Sequence, residues 1–347
     1  MNRLLGIATR MGASDLHLTV GMPPFVRIHG EIILMDEPPL DAARIRTMID
    51  GIMNEEQRIG FERDWELCFS HFVDGLGYFR VTVYRHKGCA EAAVRLGLAE
   101  LPSATDLGLP PVLDELSRKP NGLLLVTGPT GSGKTTTFNA ILDMINRERR
   151  AKVITVEDPV EHHHRNLRSI VIQQEVSWDT RSFASALVHI LRQDPDVIGI
   201  GELRSLDAMS AALTAAETGH LVIATLHASD CPGTIARIVD VFPEAQQQQI
   251  RVQLGLCLRG VVNLRLLPRI DRPGRILAYS VLVSTPAAAN LIRENKLSQL
   301  PNVMKTSRRE GMCLMDDMIR DLYQRAVIAY DVAASVVGDP AALLARG

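Results

Sequence analysis

The chain has 347 residues, 46% of them apolar, enough for more than one buried core, so two domains are expected. Its 38 basic and 40 acidic residues leave a formal charge of -2, which excludes a strongly basic nucleic-acid surface or a membrane-seeking one as a property of the whole chain. Five scattered cysteines without a C-x-x-C pair argue against a zinc ribbon or dithiol centre and fit a reducing, cytoplasmic setting; no apolar run reaches the roughly 20 residues of a membrane span.

In chain order, the opening "MNRLLGIATRMGASDLHL" holds only a brief apolar patch, too short for an export signal. "SDLHLTV" and "PFVRIHGEIILM" alternate partially around the turn residues "GMPP", a strand-turn-strand pattern. "DAARIRTMIDGIM" spaces Ile45, Met48 and Ile49 along one helical face, and "ELCFSHF" and "GYFRVTVYRHK" return to period two around "VDGLG". These predict a small α+β module over residues 1–98. Pro102, Gly108, Pro110 and Pro111 predict a linker over 99–111, with a second domain over 112–347.

From Pro111 short apolar strands alternate with helices: "GLLLVTG", "KTTTFNAILDMINRE", "KVITVED", "SFASALVHILRQ", "DVIGIGE", "SLDAMSAALTAAETG" and "LVIATLH". That order predicts an α/β domain with a mostly parallel, doubly covered sheet. Beyond His227, "PGTIARIVDVF", "EAQQQQIRVQLGLCLRGVVNL" and the segments from "PAAANLIREN" to "MDDMIRDLYQRAVIAY" read as largely helical.

"GPTGSGKT" matches G-x-x-x-x-G-K-[ST] after a buried strand and before a helix. Gly128, Thr130, Gly131, Ser132 and Gly133 would offer backbone N–H groups to phosphates, Pro129, which has no N–H, would shape the loop between them, and Thr136 extends the same turn. Lys134 would reach the β- and γ-phosphates of ATP, and the Thr135 hydroxyl would join a Mg²⁺ shell of water and phosphate.

In a parallel sheet ligands gather at the carboxyl ends of strands, where "VITVED" and "DVIGIGE" both end in acids. Glu157, Asp158, Glu161 and Glu202 are therefore candidates for holding metal-bound water or polarising an attacking water, against the plainer reading of rim acids. His227 ends the next strand on that edge and His220 precedes it; each is a phosphate contact or an ordinary capping or core histidine. His162, His163 and His164 are consecutive, and neighbours on an extended chain point to opposite faces, so a solvated turn or interface is expected rather than a metal site. Arg80, Arg85 and Arg95 lie in the first domain, as surface residues or as groups reaching a nucleotide across a domain interface.

"GPTGSGKTTT", "VEDPVE", "DPDVIGIGELR" and "AAETGHLVIATLH", in that order, resemble the Walker A, Asp, Walker B and His boxes of secretion-type ATPases. The resemblance is strongest to the type IV pilus retraction ATPases of twitching motility, and extends to "GASDLHLTVGMPPFVRIHGEI", "VDVFPEAQQQQIRVQL" and "ANLIREN". It implies a PAS-like amino-terminal domain, a RecA-like P-loop ATPase domain, and a homohexamer with Mg-ATP between protomers. It further implies pilus retraction through an inner-membrane platform protein, from a peripheral cytoplasmic position, without nucleic acid or a membrane span. Residue by residue, Lys134 and Thr135 match Walker A, and Glu157, Asp158 and Glu161 match the Asp box. Glu202 matches Walker B, while His220 and His227 match the His box. Glu161 is then the water-activating base, Glu202 lies near Mg²⁺, and Arg80, Arg85 and Arg95 match basic positions after the strands of the first domain, some of which contact nucleotide or its γ-phosphate. A type IV secretion ATPase of similar build and a non-hydrolysing nucleotide-gated module are the alternatives. Three departures stand out: Ser205 where Asp is common, Tyr78 where Arg is usual, and Ala288 and Ala289 where the carboxy-terminal motif carries an Arg before "NLIRE".

Overall fold

The computed structural model describes residues 1–28, 30–97 and 101–343. It divides into two compact units, Met1–Leu101 with Pro159–His163, and Pro102–Asp158 with His164–Gly347. The boundary expected at 98/99 and the first residues of the expected linker lie outside the described residues.

In the first unit, helix α1 (Asn2–Arg10) precedes β1 (Asp15–Leu18), β2 (Phe25–Ile28) and β3 (Glu31–Leu34). Helices α2 (Ala42–Asp50) and α3 (Glu55–Asp64) and strands β4 (Glu66–Val73), β5 (Gly77–His86) and β6 (Cys89–Leu96) follow. The sheet is antiparallel in the order β3-β2-β1-β6-β5-β4. Its alternating side chains, among them Leu16, Leu18, Val81, Val83 and Val94, meet Leu5 of α1, Ile45 and Ile49 of α2 and Phe61 of α3 in one core. Sequence periodicity missed α1, α3 and β6. For α3 the signal was a capping box, in which Asn54 and Gln57 exchange side-chain-to-backbone hydrogen bonds.

The second unit opens with α4 (Val112–Ser117), β7 (Gly122–Thr127), α5 (Lys134–Glu148), β8 (Lys152–Glu157) and β9 (Ile170–Glu175). It continues with α6 (Phe183–Ile190), β10 (Val197–Ile200), α7 (Leu206–Glu217), β11 (Leu221–Leu226), α8 (Cys231–Asp240) and α9 (Glu244–Cys257). Strands β12 (Leu258–Pro268) and β13 (Arg275–Val283) are followed by α10 (Pro286–Arg293), α11 (Leu300–Thr306), α12 (Met315–Gln324) and α13 (Tyr330–Ala334). The sheet order is β13-β12-β7-β11-β10-β8-β9, and only the β12 and β13 pair is antiparallel. Every residue of β7, β10 and β11 is buried, the signature of strands covered on both faces. Alternate residues such as Leu123, Leu125, Ile198 and Val222 pack against α6, α7, α8 and α9 in the main core.

The helix expected through "CLRGVVNL" is corrected here. Helix α9 stops at Cys257, Leu258 turns to an extended ψ of 132°, and β12 runs parallel to β7. Val261 and Val262 are β-branched and fully buried between neighbouring strands, a context that outweighs the helical spacing of the preceding residues.

Candidate active site

The phosphate loop leaves the carboxyl end of β7 and enters α5. Gly128 has a φ of 147°, and a Cβ there would lie 2.5 Å from both the Leu264 carbonyl oxygen and Ser132 Oγ, so only glycine fits. Lys134 Nζ curls back over the loop and donates to the carbonyls of Gly128 (3.1 Å) and Pro129 (2.9 Å). Burial pushes its pKa below the usual lysine value, with the Glu202 charge opposing the shift. Among the described residues Ser132 Oγ is buried without a hydrogen-bond partner, and the first N–H groups of α5 have no acceptors within the helix. An ammonium, an unpartnered hydroxyl and a helix amino terminus at one loop are suited to phosphate oxygens, so the residues present fit a nucleotide.

Beside the loop, β11 ends at Leu226 and delivers His227, and β10 delivers Glu202 two residues past its last position. His227 Nδ1 lies 3.4 Å from Lys134 Nζ, and His227 Nε2 lies 3.3 Å from Glu202 Oε1. Since an ammonium only donates, Nδ1 is the acceptor and the ring is the Nε2–H tautomer, donating to Glu202. Burial, followed by the Lys134 charge, lowers the His227 pKa and keeps the ring neutral, against the pull of Glu202. Glu202 also accepts from Arg204 Nη2 at 2.7 Å. Burial alone would raise the Glu202 pKa, but the Arg204 hydrogen bond and the charges of Arg204, His227 and Lys134 bring it below the ordinary glutamate value. The edge thus holds an ionised carboxylate one imidazole away from the phosphate-loop lysine.

Glu157 closes β8 and is 2% exposed. Its Oε1 accepts from Thr155 Oγ1 (2.7 Å) and from Gln173 Nε2 (3.0 Å). The Gln173 oxygen accepts from the His164 backbone N–H (2.8 Å), and the His164 ring bonds Asn139 Oδ1 (2.9 Å). Asn139 Nδ2 donates to the Thr135 carbonyl, one turn back in the first turn of α5, at 3.0 Å. Sequence reading missed Arg204, Asn139, Thr155 and Gln173. Only Arg204 carried a local signal, as a base two residues past a strand-end acid.

Other expected residues lie elsewhere. His220 precedes β11 and bonds the Ala215 carbonyl near the end of α7 (3.1 Å). It sits at the amino edge of the sheet, about 20 Å from the ligand edge at the usual strand rise. Asp158 is exposed just past β8, and its charge acts on Arg204. Glu161 is exposed and belongs to the first unit with Pro159–His163. The three histidines do not share surroundings: His163 stacks on Tyr78 within the first unit, while His164 joins the Asn139 network of the second. In the first unit Arg85 pairs with Glu62 (2.5 Å), Arg95 with Asp15 (3.2 Å), and Arg80 Nε lies 3.3 Å from Cys68 Sγ.

Residues 90–275 match the model of the family described as "Type II/IV secretion system protein". The type IV pilus retraction ATPase PilT of Pseudomonas aeruginosa is 40% identical over 333 residues, covering 96% of each chain. The chain belongs to the type IV pilus retraction ATPase family. The type IV pilus ATPase PilU of the same organism is 37% identical over 331 residues, 95% of this chain and 87% of that one. A crystal structure titled as the pilus retraction motor PilT with bound ADP superimposes with a TM-score of 0.92 at 42% identity, covering 98% of this chain and 97% of that one. As a member of the retraction ATPase family the protein is an ATPase, and its fold is the expected amino-terminal domain followed by a RecA-like P-loop domain.

The departures from the retraction ATPase pattern have local explanations. Ser205 is the N-cap of α7, accepting from the Ala208 N–H at 3.3 Å, a role Ser and Asp fill equally well. Tyr78 lies between the rings of Phe72 and His163. Ala288 and Ala289 are buried on α10, where the Ala289 carbonyl would lie 3.1 Å from a Cβ on Gly255 of α9, a tight approach of the two helices.

Proposed function

We propose that this ATPase is a Mg-ATP-driven motor for type IV pilus retraction, working as a ring of six copies at the cytoplasmic face of an inner-membrane platform protein. The observation that supports it most is the end-to-end match to a retraction ATPase at 40% identity over 96% of both chains, since shared ATPase chemistry alone requires only the second unit. Among the described residues no helix is long and apolar enough to cross a membrane, so membrane attachment in this reading runs through the platform partner.

In this reading the backbone from Gly128 to Gly133, with Lys134, Thr135 and Thr136, holds the nucleotide phosphates. ATP supplies the anhydride bond and Mg²⁺ neutralises its charge, with Thr135 and Glu202 beside the metal. Lys134 exchanges the Gly128 and Pro129 carbonyls for phosphate oxygens, and His227, losing that neighbour, reports nucleotide state to Glu202. Glu161 takes the proton of the attacking water; Glu157 and Asp158 shape the acidic edge, and His220 acts from the far end of β11. Arg80, Arg85 or Arg95 of a neighbouring copy approaches the phosphates. The ion pairs of Arg85 and Arg95 are partly exposed and worth about 1 kcal/mol or less, so exchanging them for a phosphate costs little.

The test is a clean deletion in the native host, scored for surface pili and twitching and complemented with wild type or Lys134→Ala. Excess, immobile pili restored to normal by the wild type alone are expected. Loss of pili would assign the protein to assembly, and unchanged pili and motility would remove it from pilus retraction.

A further inference from the structure

We propose that Gln173, together with the Asn139 and His164 pair, is a positioning clamp that fixes the loop carrying Glu161 and ties it to α5, the helix that follows the phosphate loop. The inference rests on the reading of Glu161 as the base and adds residues for which no role follows from the sequence motifs.

The chain leaves the second unit after Asp158 and re-enters it at His164. That excursion begins after Asp158, one residue past Glu157, the last residue of β8, and ends at His164, so Glu157 and His164 flank it as its feet. One side chain holds both: Gln173 Nε2 donates to Glu157 Oε1 at 3.0 Å, and Gln173 Oε1 accepts from the His164 N–H at 2.8 Å. It can do so because β9 pairs in parallel with β8, setting Gln173 opposite Thr155, two residues before Glu157. Thr155 Oγ1 donates to the same carboxylate oxygen at 2.7 Å.

The second foot is held again from α5. Asn139 spends its nitrogen on the Thr135 carbonyl at 3.0 Å, which leaves Oδ1 as the acceptor for His164 Nε2 at 2.9 Å. This orients the Asn139 amide and sets His164 with its proton on Nε2, because an acceptor oxygen faces that nitrogen. Asn139 is 1% exposed and Glu157 2%, so water does not readily replace these partners. The connected series runs from the first turn of α5, which follows the phosphate loop, through the loop foot to the strand-end carboxylate. A base misplaced by about 1 Å loses on the order of 10²-fold in rate, and anchoring both feet of a short loop restrains such displacement.

The experiment measures kcat for ATP hydrolysis, affinity for a fluorescent ATP analogue, and melting temperature, for wild type, Gln173→Ala, His164→Ala, His164→Gln and Asn139→Ala. Gln173→Ala and His164→Ala are expected to lower kcat by about 10- to 100-fold while nucleotide affinity stays within about threefold. His164→Gln, whose amide nitrogen can replace the ring donor toward Asn139, is expected to recover most of the rate. Asn139→Ala combined with His164→Ala should be no slower than the worse single variant, since both break one link. Wild-type kcat in Gln173→Ala and His164→Ala overturns the clamp, as does a parallel loss of affinity, kcat and melting temperature that His164→Gln fails to reverse. Absence of turnover in the wild type would end the ATPase reading itself and the clamp with it, whereas an active wild type with fully active clamp variants ends the clamp alone.

Discussion

Asn263 Nδ2 donates to Thr127 Oγ1 at 3.0 Å, joining β12 to the residue that launches the phosphate loop. The same nitrogen donates to the Ala228 carbonyl at 3.0 Å, one residue past His227. A single buried amide thus braces the loop and the histidine that faces its lysine. Asn263→Ala removes both bonds, leaving Thr127 Oγ1 with the Thr234 hydroxyl at 3.3 Å and the half-buried Ala228 carbonyl short of this donor, a loss of about 1–3 kcal/mol. At about 2–4 °C per kcal/mol for a unit of this size, a thermal melt should fall by several degrees. An unchanged melt would show that the brace contributes nothing.

The phosphate loop is tolerant at one glycine and not at another. Gly128→Ala forces a Cβ against the Leu264 carbonyl and Ser132, and should lower the melting temperature well below wild type as well as weaken nucleotide binding. At Gly131, φ is 75° and a Cβ meets nothing within 4 Å, so Gly131→Asn, which accepts a left-handed backbone, should melt within about 2 °C of wild type. Equal melts for the two variants would contradict this account of the loop.

Cysteine reactivity should separate sharply. Cys68 is exposed, whereas burial pushes the thiols of Cys231 and Cys257 up to about 12. At pH 8 iodoacetamide should modify Cys68 first and reach Cys231 and Cys257 only on unfolding, because the thiolate is the nucleophile. The sign of the linkage follows: the folded chain keeps these protons to about pH 12 and an unfolded chain releases them near 9, so their stabilising contribution is complete below pH 9 and declines above it. Melting temperatures measured from pH 7 to 10.5 should fall at the alkaline end, and Cys231 labelling as fast as Cys68 in folded protein would refute the assignment.

The phosphate loop was legible because its chemistry is local: two glycines, a lysine and a threonine at fixed spacing after the apolar run Leu123–Val126. The acids of the ligand edge were legible for the same reason, as strand-end residues. Gln173 was not, because its meaning depends on β9 lying beside β8 in register with Thr155, a relation between residues 18 positions apart. Asn263 was hidden by a different error: reading "CLRGVVNL" as helix removed β12 from the sheet, and with it the only element that brings Asn263 beside Thr127. The opposite placement of His220 and His227 was implicit in the sequence, since one precedes and one follows the same six-residue strand.

The central claim is that Lys134 and Glu161 act on one ATP, the first in holding its phosphates and the second in activating water. Steady-state phosphate release should be measured with ATP and Mg²⁺ for wild type, Lys134→Ala and Glu161→Gln, beside binding of a fluorescent ATP analogue to each. The account predicts that Lys134→Ala loses binding and turnover together, and that Glu161→Gln retains binding while turnover falls by roughly 10²- to 10⁴-fold. Turnover in Glu161→Gln equal to wild type, or phosphate release by wild type no faster than by Lys134→Ala, would contradict it.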